Sequence, residues 1–266
     1  MSRRIVRLAG ACLLACAAAA AAAHDSWLRV ADTQPSADLL VLDLDGGARY
    51  PKSEWPTPAG RIANAGCTGA AGSHALVARN EQATALEMRS RVGRETPLTC
   101  WVELKPQDIA IEPALVPTYF DDIRAPEPLR RKWAQLHADG IAWKEVYRKF
   151  VRIELAPAGT ADAATLRRPL NVALELLPLG GAPLARGVEA EYVALADGKP
   201  VEGLAVEFVS YRSPVGVWRQ SDRNGRFRFT PPFAGEWLLR STALEAPAAP
   251  GQPWRSRFAT LTVQVR

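Results

Sequence analysis

The sequence predicts a mainly β protein, two β-sandwich (immunoglobulin-like) domains joined by a short helical segment, and three observations carry that prediction. Short apolar runs of strand length recur along most of the chain. Among 266 residues, 21 prolines and 19 glycines break those runs often enough to favour short strands over long helices. The turns between them are chemically explicit, with Asp45-Gly46-Gly47, Asp197-Gly198-Lys199-Pro200 and Asp222-Arg223-Asn224-Gly225 all built from residues that turns select.

The chain opens on Met1 to Ala23, which combines Arg3, Arg4 and Arg7, an apolar stretch from Leu8 to about Ala20, and small residues before His24. That is the pattern of a cleaved secretory signal, so the expected compartment is the periplasm. Arg3-Arg4 also fits the start of a twin-arginine signal, and Leu13-Leu14-Ala15-Cys16 a lipoprotein box. Trp27 to Val30 and Leu39 to Leu44 then read as strands, followed by further runs at Ala75 to Ala78, Ala83 to Met88 and Cys100 to Leu104. Asp43 and Asp45 beside glycine are assigned to turn chemistry, because the loop lacks the other oxygens of a calcium site. Removing the signal takes Cys12 and Cys16 with it and leaves Cys67 and Cys100 in an oxidising compartment, where they are expected to pair.

From Glu127 the period changes. Leu129, Trp133 and Leu136 recur at i, i+4, i+7, and Trp143, Tyr147 and Phe150 repeat that spacing after Asp139-Gly140, so two short amphipathic helices are expected. Glu145 and Lys149 then read as a surface pair one helical turn apart. Ala156 to Arg168 has no period and reads as a linker or long loop. Seven strand-like runs follow, the last from Phe258 to Val265, and the Asn224-Gly225 turn is expected to join Val217 to Gln220 and Arg226 to Phe229 as a hairpin. The expected organisation is a signal over 1–23, a first sandwich over 24–125, a helical connector and linker over 126–168, and a second sandwich over 169–266.

The formal charge of +5 is spread thinly, with no dense basic run interleaved with aromatics after residue 24, and this argues against nucleic acid as a partner. No stretch after the signal is long and apolar enough to span a membrane. The chain carries no Gly-x-Ser-x-Gly element, phosphate-cradling loop or zinc-protease helix, and it is not expected to be an enzyme. Its most specific chemical feature is the start of the mature chain. Cleavage before His24 places an α-amine and an imidazole on one residue, with reference pKa values of about 7.7–8.0 and about 6.5, so both offer lone pairs near neutral pH. Such a pair chelates transition metals. His74 is the candidate third nitrogen, and Asp25 an oxygen ligand or an orienting group.

Several segments also carry a family resemblance: His24-Asp25-Ser26-Trp27-Leu28, Tyr119 to Pro126, Trp143 to Lys149, Leu174 to Pro178, Asp197 to Val201, Ser221 to Arg226, Gly235-Glu236-Trp237 and Trp254-Arg255-Ser256. In these the chain resembles a family of bacterial exported proteins grouped with periplasmic components of nickel and cobalt uptake systems. The resemblance implies a periplasmic, two-domain β protein handling a transition metal beside a membrane metal transporter; among nickel, cobalt and copper, the affinity order of nitrogen ligands alone favours copper. The competing expectation is a non-catalytic immunoglobulin-like module that binds protein or carbohydrate through its loops and requires no special residues.

Overall fold

The structure is a computed structural model that describes residues 24–266; the expected signal, with Cys12 and Cys16, lies outside the described residues. In chain order the strands and helices are β1 (Asp25–Val30), β2 (Leu40–Gly47), β3 (Trp55–Pro56), β4 (Ile62–Gly69), β5 (Gly72–Ala75), β6 (Val77–Glu81), β7 (Ala85–Ser90), β8 (Leu98–Ile109), α1 (Val116–Asp122), α2 (Glu127–Ala138) and β9 (Glu145–Leu155). Then follow β10 (Glu175–Pro178), β11 (Ala190–Ala196), β12 (Lys199–Pro200), β13 (Ala205–Ser210), β14 (Ser213–Gln220), β15 (Arg226–Phe229), β16 (Gly235–Glu245) and β17 (Trp254–Val265). The protein is mainly β, as the sequence predicts.

The strands form three sheets. An eight-stranded sheet in the order β14-β13-β16-β17-β9-β8-β4-β5 runs through the molecule and draws strands from both ends of the chain. A five-stranded sheet of β1, β2, β7 and β6 with β3 beside β2, and a four-stranded sheet of β10, β11, β12 and β15, pack against it. Consecutive residues of a strand point to opposite faces, and in β9 Val151 and Ile153 join the core with Leu28, Leu42 and Leu44, whereas Phe150 joins the core with Leu176, Tyr192 and Phe227. The two cores therefore lie on opposite faces of one sheet. A third cluster, in which Phe120, Trp133 and Leu136 meet Trp143, Trp254 and Phe258, docks the helices on the sheet.

Helix α2 forms where the spacing predicts it, burying Trp133 and Leu136. It stops at Gly140, whose φ of +74° a side chain would resist, and the Gly140 and Ile141 N–H groups donate to the carbonyls of His137 and Leu136. The second expected helix is instead strand β9, parallel to β17 on one edge and antiparallel to β8 on the other. A four-residue spacing keeps Trp143 and Tyr147 on one side in a strand as well as in a helix, and two long ladders decide between them. Glu145 accordingly is no surface partner of Lys149: it is 2% exposed and accepts hydrogen bonds from Tyr119, Trp143 and Ser256.

Two turn assignments are corrected as well. Asp43 and Asp45 belong to strand β2, not to a turn, and both carboxylates bind Arg29 from β1, at 2.8 and 2.7 Å. The Asp222 to Gly225 turn does form, with Gly225 N–H donating to the Asp222 carbonyl, but it joins no hairpin. The strands on either side pair elsewhere, β14 with β13 and β15 with β11, so the turn carries the chain from one sheet to another. The stretch from Ala156 to Arg168, expected as a linker or long loop, includes a short 3-10 helix at Ala164–Arg167 and packs against the sheet: Leu166 is buried and its carbonyl accepts from Thr99. Cys67 and Cys100 sit opposite each other on β4 and β8 and form a disulfide with 4.0 Å between their Cα atoms.

Candidate functional site at His24

Strand β1 is an edge strand of its own sheet, and its free edge faces the large sheet. Three side chains from that sheet replace a backbone partner: Lys149 Nζ donates to the His24 carbonyl at 2.6 Å, Thr260 Oγ1 to that of Ser26 at 2.6 Å and Thr262 Oγ1 to that of Leu28 at 2.7 Å. Alternate carbonyls of a strand point the same way, so one row of donors satisfies three acceptors. The row begins at His24 itself, which fixes this residue at the start of β1.

Around His24 the setting is half-buried, with the Lys149 ammonium and the carboxylates of Asp25 and Glu54 all acting on its ring. Its imidazole meets the Trp55 indole edge-on, with ring centroids 4.5 Å apart. Lys149 Nζ lies 5.6 Å from the centre of the Tyr147 ring, and the Arg61 guanidinium lies 5.8 Å from the same ring. Arg61 also donates to Gln107 and, at 2.9 Å, to the Lys105 carbonyl. Burial and the neighbouring Lys149 charge hold the His24 imidazole below its ordinary pKa, with Asp25 and Glu54 opposing them. The neutral ring, which has a free lone pair, is thereby favoured. Burial likewise takes Lys149 down to about 8, opposed by Asp25 and helped by Arg61.

The carboxylates nearby are already engaged. Asp25 Oδ2 accepts from Arg240 Nη1 at 2.8 Å, and Arg240 also binds Glu207. Glu54 accepts the Ala48 N–H at 2.8 Å and the Lys52 ammonium at 3.1 Å. Of the two roles expected for Asp25, this pairing supports orientation: it ties the start of β1 to β16.

The structure brings His24 and Asp25 together and leaves His74 apart. His74 lies on β5, opposite Cys67, which faces Cys100 and, beyond it, Ile153. Lys149, which touches His24, is three strands away from β5 and four residues along from Ile153. At about 4.8 Å per strand and about 3.3 Å per residue the gap is on the order of 19 Å, far beyond a shared coordination sphere. His74 Nε2 is instead a buried atom without a hydrogen-bond partner. His137 is exposed and stacks on Trp133 at 5.1 Å. Among the described residues no group of three or more His, Cys, Asp or Glu side chains converges to hold a metal ion.

Reasoning from the sequence missed Lys149, Arg61 and Arg240. Lys149 meets its partner across 125 residues and Arg240 across 215, so no local pattern announces them.

A family model described as a domain of unknown function (DUF4198) matches residues 21–244. The chain belongs to that family. The DUF4198 match takes in His24, Asp25, Lys149 and Arg240, so His24 and the residues around it lie within the family's extent. Comparison with curated proteins gives no match. No helix of the described residues is long and apolar enough to cross a membrane.

Proposed function

We propose that the exported chain binds a divalent transition metal, nickel, cobalt or copper, through the α-amine and imidazole of His24, as a periplasmic accessory to a membrane metal transporter. The observation that carries this reading is the fixing of His24 on the large sheet by Lys149, with its ring held toward the neutral, ligating form. The order of affinities for nitrogen ligands places copper above nickel and cobalt, and supply in the compartment decides which is carried. His74 has no part in the reading, because its strand is too distant.

The test is calorimetric titration of nickel or copper into protein that starts at His24 and into protein with one extra methionine before it. The extension turns the amine into an amide, a poor ligand, and should abolish tight binding. His74→Ala and His137→Ala should bind as the native-start protein does. Equal affinity with and without the extra methionine overturns the proposal.

A second reading has one observation in its favour. Strand β14 is an edge of the large sheet, and around it Val215 is 75% and Tyr211 50% exposed. An immunoglobulin-like interaction module would use such an edge, and its binding would be indifferent to metal and to the extra methionine.

A further inference from the structure

Strand β14 lies at one end of the large sheet, and among the described residues β13 alone pairs with it. It is eight residues long, whereas β5 at the opposite end of that sheet has four. The free edge of β1 is met by a row of donors from other strands, but the side chains that reach β14 carbonyls belong to β14 itself. Ser213 Oγ donates to the Val215 carbonyl at 3.2 Å, and Arg219 Nη1 to that of Trp218 at 2.8 Å. An open edge of this length is a template for an added strand.

The start of β14 suits pairing poorly, because Pro214 has no N–H and the register shifts between Phe208 and Ser210 of β13. The usable length is Val215 to Gln220. Val217 lies opposite Phe208 and packs with it against the core, so Val215 and Arg219 share that face, and Gly216 and Trp218 take the other. Val215 is 75% exposed, which leaves an apolar side chain at the edge with nothing of its own kind to cover it.

Charge decides what kind of strand fits. From Phe208 to Ser221 the chain has no acidic residue, and it carries Arg212 and Arg219, both exposed. Arg219 donates to the Trp218 and Arg228 carbonyls at 2.8 and 3.1 Å, and Arg212 to the Tyr211 hydroxyl at 2.8 Å. Those bonds hold the two guanidinium groups in place without neutralising them, since the acceptors carry no charge. The exposed Arg124 adds a third, 5.3 Å from the centre of the Trp218 ring. Acidic groups nearby are held by other arginines: Glu207, under Gly216, by Arg240, and Glu191 by Arg226 and Arg228. A second copy of the chain would set Arg212 and Arg219 against themselves across the strand pair, which like charges disfavour.

We propose that β14 takes up an extended acidic segment of a partner protein as an added strand, with main-chain bonds along Val215 to Gln220 and carboxylates on Arg124, Arg212 and Arg219. This rests on the interaction-module reading and names the partner's chemistry. Because side chains alternate along a strand, one segment can lay apolar groups beside Val215 and Val217 and present carboxylates to the guanidinium groups.

The test is fluorescence anisotropy titration of the processed protein with a labelled peptide of alternating valine and glutamate, as long as β14. Two controls of equal length replace glutamate by lysine or consist of glutamate alone. The valine and glutamate peptide should bind about tenfold or more tightly than either, the effect of one charge-assisted hydrogen bond. Arg212→Glu combined with Arg219→Glu should remove that advantage and let the lysine peptide bind, while lysine at both positions should keep most of it. Both side chains are exposed, so the fold should tolerate the changes. Hydrogen exchange should slow at the amides of Val215 to Gln220 when the peptide is added.

Equal binding of the lysine peptide, or unchanged affinity in the doubly reversed variant, overturns the proposal. Equal binding of polyglutamate overturns it too, because the arginines would then be a patch for any anion. If protection appears at another edge, such as β6, the assignment to β14 falls and the module reading stands. If no peptide binds, the charges of β14 only blunt an edge, and the module reading, which that edge alone favours, falls with the proposal.

Discussion

Glu154 lies within 4 Å of two guanidinium groups, Arg152 at 3.8 Å and Arg167 at 3.7 Å, yet burial pushes its carboxyl up to about 7 against the pull of both. Neither contact is close enough to be a hydrogen bond, and Oε1 has no partner at all. The consequence for stability has a definite sign. Between an unfolded value of about 4.3 and the folded value, the unfolded chain has released a proton that the folded chain still holds, so this group removes stability as pH rises through that window and is level above it. Glu154→Gln should lack this loss, with a change between the two proteins on the order of 2–3 kcal/mol from pH 5 to pH 7.5. Urea unfolding at both pH values measures it, and parallel behaviour of the two proteins would count against burial as the cause. The Cys67–Cys100 bond offers a second measurement at this scale. It closes a separation of 33 residues, and Cys67→Ala with Cys100→Ala should cost roughly 3–4 kcal/mol in the chain-entropy account. His24 was legible as a candidate site because the chemistry proposed for it depends on position in the chain alone. The residues that charge its surroundings were not, because Lys149 and Arg240 acquire their roles only when distant strands meet.

Strand β1 depends on side chains for what a neighbouring strand would normally supply. Replacing Thr260 by Val removes the donor to the Ser26 carbonyl and keeps the side chain's shape, leaving a buried acceptor unmet at a cost of about 1–3 kcal/mol. Thr262→Val should do the same at Leu28, and because both act on one strand the double variant should depart from the sum of the singles. Thermal unfolding of the three proteins tests this; an unchanged midpoint in either single variant would show that β1 is held by its packed side chains alone. Seven of the eight strands from β10 to β17 were readable because turn residues bound them, whereas the two-residue β12 lies where the sequence reads as a turn. Strand β9 was not, for a physical reason. Val151-Arg152-Ile153-Glu154-Leu155 does alternate as a strand does, but Trp143, Tyr147 and Phe150 just before it fit a helical spacing equally well, and the burial of Phe150 to Glu154 on both faces is set by sheets drawn from distant parts of the chain. Charged residues at Arg152 and Glu154 are tolerated inside because Arg167 and Glu175, from a loop and from β10, meet them there.

At the scale of the whole molecule, the expected split into two sandwiches and a connector becomes a question about cooperativity. Phe150 and Val151 are neighbours in sequence and serve different cores. Strand β17 likewise sends Leu261 and Val263 into one core while Thr260 and Thr262 anchor β1 on the other face. Unfolding either core would strip one face of strands that the other core needs, exposing apolar surface that neither half can cover alone. The expectation is a single calorimetric transition whose enthalpy agrees with the van't Hoff value. Leu42→Ala in one core and Leu239→Ala in the other, both 0% exposed, should each cost about 2–5 kcal/mol. What matters is that each should move the whole transition, including the part followed by hydrogen exchange at β9. Two resolved transitions, with each substitution shifting only its own, would mean that the central sheet can lose one cover and keep the other, and that the halves are stable independently.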